Sequence, residues 1–180
     1  SVFQGTTALT QIGLPGGVGS IGKSAFSGSG LTGFTAPASL ASLGENVFED
    51  CASLKEVALG NVVDIGAEAF VGCTALETVV FGDTVSIGDN AFDGCSALTT
   101  VNLPETLTSI GESAFANTSL TEITVPGLVR EIGATAFENC LSLTTATLLG
   151  VSVIVFLAGP LGNFSLENLR ANWGPLDTVH

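Results

Sequence analysis

Residues 98–115 read LTTVNLPETLTSIGESAF, and this stretch recurs with variations along most of the chain. Its last six letters follow the pattern IGxxAF. The aligned aromatic residues are Phe26, Phe48, Phe70, Phe92, Phe115 and Phe137, and they are spaced by 22, 22, 22, 23 and 22 residues. Six copies in register indicate a repeat architecture, and the Phe positions are expected to form a stacked core.

The first half of the repeat alternates apolar and polar residues. The counterparts of LTTVNLP (98–104) are LTQIGLP (9–15), LTGFTAP (31–37), LKEVALG (54–60), LETVVFG (76–82) and LTEITVP (120–126). This alternation predicts a short strand with one buried face, ended by Pro or Gly. A unit of 22 or 23 residues is too short for paired helices, so it fits one coil of a solenoid whose coils bury their apolar faces against each other.

These features resemble the BspA-like class of leucine-rich repeats, with its consensus LxxVxLPxxVxxIGxxAFxxC. The resemblance covers about residues 2 to 149. It implies a β-rich repeat solenoid of the right-handed leucine-rich-repeat type, with parallel strands on the concave face and short turns or strands on the convex face. The chain departs from commoner leucine-rich repeats, because no Asn recurs where those proteins place an Asn ladder.

The repeat register predicts two regions. Residues 1–149 are expected to form six to seven coils that start in the middle of a repeat, because Phe3 lies 23 residues before Phe26. The register fails afterwards. Residues 150–180 are therefore predicted to form a C-terminal cap, with one or two strands in 151–160, a short helix in 163–175 that begins after Ser165, and Trp173 over the last coil.

The charge balance excludes some partners. Four basic residues face seventeen acidic ones, so the formal net charge is −13. A nucleic-acid partner requires a basic surface that the chain lacks, and anionic membrane surfaces are disfavoured for the same reason. The apolar run 151–158 is too short to span a bilayer.

Four cysteines stand three residues after a repeat Phe, namely Cys51, Cys73, Cys95 and Cys140, and Ser29 and Thr118 take that place in two other coils. The spacing is that of the solenoid and differs from a Cys-x-x-Cys metal pattern. Replacement by Ser and Thr favours buried free thiols in a tight turn. A disulfide or a site for a soft metal is the alternative, because neighbouring coils lie about 5 Å apart.

No catalytic or cofactor-binding group is predicted. The one histidine, His180, is terminal, so Ser-His-Asp, Cys-His and His-rich zinc sites are not available. Acidic residues recur after the repeat Gly and the repeat Phe, at Glu45, Asp89, Glu112, Glu49, Asp93 and Glu138. They are interpreted as a solvated acidic face, with calcium binding or paired glycosidase carboxylates as alternatives.

Two kinds of short motif match patterns of known functional sites. Residues 17–24, GVGSIGKS, match the phosphate-binding loop of nucleotide hydrolases. That loop needs a helix after it, whereas Lys23 occupies a variable repeat position and a new strand follows, so no nucleotide binding is expected. Asn117 and Asn163 begin N-glycosylation sequons, which matter only in a eukaryotic secretory pathway.

The strand residues between the buried ones are expected to form a concave binding face. This face is rich in Thr and has no Trp, Tyr or Arg, and its candidate contact residues are Glu56, Thr78, Val80, Thr100, Asn102, Glu122 and Thr124. Such a composition favours broad or multivalent contacts over a small, tight recognition patch.

The leading functional hypothesis is a non-enzymatic binding or adhesion module, extracellular or on the cell surface, whose partner is a protein or a glycan. The BspA-like resemblance implies the surface location and the role in attachment. The alternative is a structural subunit of a homopolymer, filament or larger complex that packs through the solenoid ends, where apolar rungs and strand edges would be exposed.

Overall fold

Short strands of successive coils form parallel sheets on two sides of the chain. The computed structural model describes residues 2–149 and the strand 154–155, and the solenoid makes about six turns. One sheet has seven parallel strands, β1 (Ser20–Ile21), β3 (Ser42–Leu43), β5 (Asp64–Ile65), β7 (Ser86–Ile87), β8 (Ser109–Ile110), β10 (Glu131–Ile132) and β12 (Ile154–Val155), in that order. This confirms the solenoid expected from the repeat.

The strands of the first half-repeat form two smaller parallel sheets. The first contains β2 (Gly33–Thr35), β4 (Glu56–Ala58) and β6 (Thr78–Val80), and the second contains β9 (Glu122–Val125) and β11 (Thr145–Leu148). Every strand between β1 and β11 pairs with residues one repeat away, such as Val57 with Val79 and Ile87 with Ile110. The sequence period therefore sets the register.

The repeat Phe side chains form one continuous stack through the core. Adjacent ring centroids from Phe3 to Phe137 lie 5.1–5.6 Å apart, and adjacent ring planes are within 10° of parallel. Stacked aromatic pairs contribute about 0.5–1.5 kcal/mol each beyond the burial of their area. The contact of Phe3 with Phe26 confirms that Phe3 takes the repeat position of an earlier coil.

The turn around each Phe requires two residues with left-handed backbone. Two positions before the Phe, φ is 51–57° at Ser24, Asn46, Glu68, Asn90, Ser113 and Thr135; two positions after it, φ is 54–74° at Gly28, Asp50, Gly72, Gly94, Asn117 and Asn139. Gly, Asn and Asp adopt this conformation at the lowest cost. Their recurrence beside the Phe therefore has a conformational cause.

The repeat Gly has a different role, because its φ is not positive. A Cβ atom at Gly44, Gly66, Gly88, Gly111 or Gly133 would lie 2.3–2.9 Å from the nearest backbone atom of the preceding coil. Successive coils thus approach so closely at this corner that only glycine fits.

The strand prediction was wrong in two coils. Residues 11–13 and 100–102 form no strand, so Thr100 and Asn102 lie in an irregular segment. Between Phe26 and Phe137, the interval from Phe92 to Phe115 is the one of 23 residues, and its extra residue lies between Val101 and Ile110, after the expected strand. Gly13 disfavours a strand in the first coil.

The predicted cap falls mostly outside the described residues. Strand β12, which falls within residues 151–160, pairs parallel with β10 and extends the seven-stranded sheet. The helix expected in 163–175, its Ser165 cap and the packing of Trp173 lie outside the part of the chain that the structure describes, as do Asn163 and His180.

Candidate functional site: an exposed face with a break in its sheet

The seven candidate contact residues lie on one side of the solenoid. Glu56 is in β4, Thr78 and Val80 are in β6, Glu122 and Thr124 are in β9, and Thr100 and Asn102 are in the irregular segment between them. All seven are exposed, and the residues between them, Val57, Val79, Val101 and Ile123, are buried. We call this side of the solenoid the strand face.

Backbone hydrogen bonds tie successive coils together at the edge of the strand face. The amide groups of Thr32, Lys55, Glu77, Thr121 and Thr144 donate to the carbonyl oxygens of Thr10, Thr32, Lys55, Thr99 and Thr121, at 2.9–3.1 Å. The hydroxyls of Thr32, Thr121 and Thr144 donate to the same carbonyls as their own amides. These Thr donors are satisfied within the solenoid and link each of these coils to the preceding one.

One bond is missing from this series. Among the described residues, the Glu77 carbonyl oxygen accepts no hydrogen bond from the next coil, and no backbone bond joins residues 77–81 to residues 99–103. The Phe stack is unaffected, because Phe70, Phe92 and Phe115 remain 5.1–5.2 Å apart. The two coils therefore separate on the strand face alone.

A cavity of about 190 Å³ lies in this gap. Four candidate contact residues, Thr78, Val80, Thr100 and Asn102, line it together with the buried Val79 and Val101. Glu77 and Phe81 complete the lining, and the Phe81 ring stands edge-on to Phe92 at 5.9 Å. We call this cavity the inter-coil slot. It combines an apolar wall with amide, hydroxyl and carboxylate groups.

The sequence analysis did not select Glu77 and Phe81. The available signal was the 23-residue spacing between Phe92 and Phe115, which interrupts the 22-residue spacing of the repeat Phe residues before and after it. A change in repeat length predicts a local mismatch between coils, although it does not indicate which side of the solenoid opens.

The part of the chain that the structure describes carries far more acidic than basic residues. Of seventeen acidic and four basic residues, only Glu167, Asp177 and Arg170 lie outside the described part. In that part the one ion pair joins Lys23 Nζ to Glu45 Oε1 at 2.6 Å. The other carboxylates there, that of Glu77 included, have no basic side chain within ion-pair distance.

The loop-like motif 17–24 is a solenoid turn. Strand β1 lies inside it, turns and bends follow, and Lys23 pairs with Glu45 of the next coil. No helix N-terminus is present among residues 22–30 to face a phosphate.

The cysteine column consists of four buried, free thiols. Cys51, Cys73, Cys95 and Cys140 each donate through Sγ to the carbonyl oxygen of a Phe in the preceding coil, at 3.0–3.3 Å. Burial raises the pKa of all four thiols, that of Cys95 to about 12 and that of Cys73 well above its usual value. The thiols therefore stay protonated at neutral pH and serve as small donors in the turn.

Several of the recurring acidic residues accept hydrogen bonds from a neighbouring coil. Asp93 Oδ1 accepts from Asn117 Nδ2 at 2.7 Å, and Asp89 Oδ1 accepts from the amide of Glu112 at 2.8 Å. Within residues 2–149, no three His, Cys, Asp or Glu side chains converge as a metal site would require. In the sequon that begins at Asn117, the Asn117 side chain donates the hydrogen bond to Asp93, and Thr118 is buried.

The repeat geometry agrees with the family to which the sequence is similar. The sequence pattern of the BspA type leucine rich repeat region matches residues 1–86 and 63–168, in six copies. The chain belongs to this family. A search of curated proteins found no match.

Several solved structures share the fold. A leucine-rich repeat protein from Bacteroides ovatus is 33% identical, with a TM-score of 0.77 over 84% of this chain and 39% of its own. A leucine rich cell surface protein from Faecalibacterium prausnitzii is 30% identical, with a TM-score of 0.54 over 74% of this chain and 43% of its own. The leucine rich repeat protein of T. pallidum is 28% identical, with a TM-score of 0.66 over 77% of this chain and 68% of its own.

The chain spans about two fifths of the length of the first two of these proteins. In the part of the chain that the structure describes, there is no helix of the length and apolarity needed to cross a membrane.

Proposed function

We propose that the chain is a non-enzymatic binding module, displayed on the cell surface or outside the cell, that contacts a protein or glycan ligand through the strand face. The observation that carries this proposal is the strand face itself. Seven exposed side chains lie on one side of the solenoid, and five of them stand on β4, β6 and β9, strands that pair with a neighbouring coil, so a ligand meets a surface much of which needs little ordering on binding.

The surface location draws support from family membership and from the F. prausnitzii relative, which is named a cell surface protein. The non-enzymatic role draws support from the thiols, because burial disfavours the nucleophilic thiolate. The strand face carries Thr, Glu and Asn in place of large aromatic anchors, which favours weak, multivalent attachment.

A binding panel tests the proposal. Extracellular matrix proteins and glycans are immobilised, and the chain is compared with its Thr124→Arg and Ser20→Arg variants. Both positions are exposed strand residues, but Ser20 lies in the seven-stranded sheet. We expect Thr124→Arg to weaken binding at least about fivefold, because it adds bulk and charge to the contact surface, and Ser20→Arg to have little effect. Failure of every ligand to bind, or equal losses in both variants, would contradict the proposal.

The alternative, a homopolymer that assembles through the solenoid ends, remains a prediction. Light scattering at several concentrations tests it, because assembly would raise the average mass with concentration.

A further inference from the structure

We infer that the inter-coil slot receives the arginine or lysine side chain of a basic, extended segment in a partner protein. This inference rests on the proposed function, since it assigns the partner's chemistry on the strand face.

The first argument is the pattern of hydrogen-bond acceptors. The carbonyl oxygens at the position of Glu77 in other coils, those of Thr32, Lys55 and Thr99 among them, accept an amide of the following coil. The Glu77 carbonyl does not, and the Glu77 carboxylate is exposed and outside ion-pair distance of the described basic side chains. One residue at the slot thus offers two kinds of acceptor to a donor from outside the chain.

The second argument is the apolar wall. Val79 and Val101 are only 7% and 9% exposed, and Phe81 is half-buried beside them. Lysine and arginine carry an aliphatic stem that packs against apolar surface and a charged head that carries several donors. A carboxylate next to an apolar wall complements both parts of such a side chain.

The third argument is charge complementarity along the face. Glu56 lies one coil before β6, and Glu122 lies one coil after residues 99–103, so acidic side chains stand on both sides of the slot. Among residues 55–124 of this face, Lys55 is the one basic residue. A basic segment laid across the coils would meet acidic side chains on both sides of the slot, which favours its encounter and orientation.

The size of the slot limits what enters it. A cavity of about 190 Å³ accommodates one side chain and is too small for a packed helix or a folded domain. The rest of the partner segment would therefore lie across the exposed Thr and Asn side chains of the strand face.

An NMR titration of the whole chain tests the inference. The probes are the peptide acetyl-Gly-Arg-Gly-Arg-Gly-amide and its counterpart with citrulline, which keeps the shape of arginine but has no charge. We expect the arginine peptide to shift the amide signals of residues 77–81 and 99–103, and the citrulline peptide to shift them far less. Shifts confined to other regions would overturn the inference.

Two matched variants each remove one negative charge. Glu77→Gln changes the slot, whereas Glu131→Gln changes an exposed residue of β10 in the seven-stranded sheet. We expect Glu77→Gln to weaken peptide binding by about 3- to 10-fold and Glu131→Gln by less than about twofold. Equal weakening would mean general attraction to an acidic protein and would overturn the inference.

The outcome is separable from that of the proposed function. If a ligand from the binding panel is lost with Thr124→Arg but unaffected by Glu77→Gln, the strand face binds its ligand without the slot, and the inference alone fails. If no panel ligand binds but the arginine peptide enters the slot with the expected Glu77 dependence, the site chemistry stands and the proposed function fails.

Discussion

Replacing Gly88 by alanine is expected to destabilise the solenoid, whereas the same replacement at Gly22 is not. A Cβ at Gly88 would lie 2.6 Å from the amide nitrogen of Ala67 and 2.8 Å from the carbonyl carbon of Gly66. These are backbone atoms of the preceding coil, so they cannot rotate away as a side chain would. Around Gly22, no atom lies within 4 Å of the new Cβ.

The magnitude follows from the two environments. Forcing extra volume into a packed interior costs about 1–3 kcal/mol, and Gly88→Ala adds that volume between two backbones. At an open position with compatible backbone, Gly→Ala stabilises a protein by about 0.4–1 kcal/mol, because it restricts the unfolded chain. The difference between the variants is therefore expected to be about 1.5–4 kcal/mol in the free energy of unfolding.

Urea denaturation followed by circular dichroism measures this difference, provided that the denaturant slopes of the variants agree. Gly44→Ala supplies an intermediate case, because its nearest contact is 2.9 Å. It also keeps the test valid if Gly88→Ala fails to fold. Free energies of Gly88→Ala and Gly22→Ala within about 0.5 kcal/mol of each other would refute close packing of the coils as the reason for the repeat Gly.

Four further predictions concern the Phe stack, the turns and the thiols. Phe92→Ala, which removes a ring stacked on both sides, should cost about 3–5 kcal/mol in the free energy of unfolding, and Phe137→Ala should cost clearly less, because Phe137 is only partly buried. Thr135→Asn should raise the free energy of unfolding by about 0.5–1 kcal/mol, since φ is 57° there and a β-branched residue is strained in that conformation; no gain in urea denaturation would contradict this reason. Because burial raises the pKa of Cys95 from 9.0 to about 12, the folded state retains protons that the unfolded state loses, so stability should fall as pH rises from about 9 towards 12, and less steeply in Cys95→Ser. The same thiols should resist alkylation at pH 8 until urea is added, and rapid labelling of the native chain would disprove their burial.

Much of the fold follows from the spacing of particular residues. Each coil contacts the coils before and after it, so a residue that recurs every 22 or 23 positions meets its own copies, as the Phe stack and the cysteine column do. The same reasoning identified Lys23 as a variable turn residue despite the GVGSIGKS match. The seven candidate contact residues are exposed, because alternation within a strand separates buried from exposed positions, and their role in binding stays a prediction.

The tertiary structure alone decided features that depend on distances between coils. The repeat Gly is required because two backbones approach closely there, and Asn, Asp and Gly recur beside each Phe because the turn there needs left-handed backbone. The sequence shows that these residues recur, but it does not show why. The inter-coil slot is the clearest case, because one extra residue in a 23-residue coil could have been absorbed on any side of the solenoid. The Phe stack keeps its spacing and the seven-stranded sheet keeps its pairing, whereas the backbone bonds between β6 and residues 99–103 are absent on the strand face. A periodic sequence thus determines which residues meet, whereas competition between the packing of the different sides determines where the period is broken.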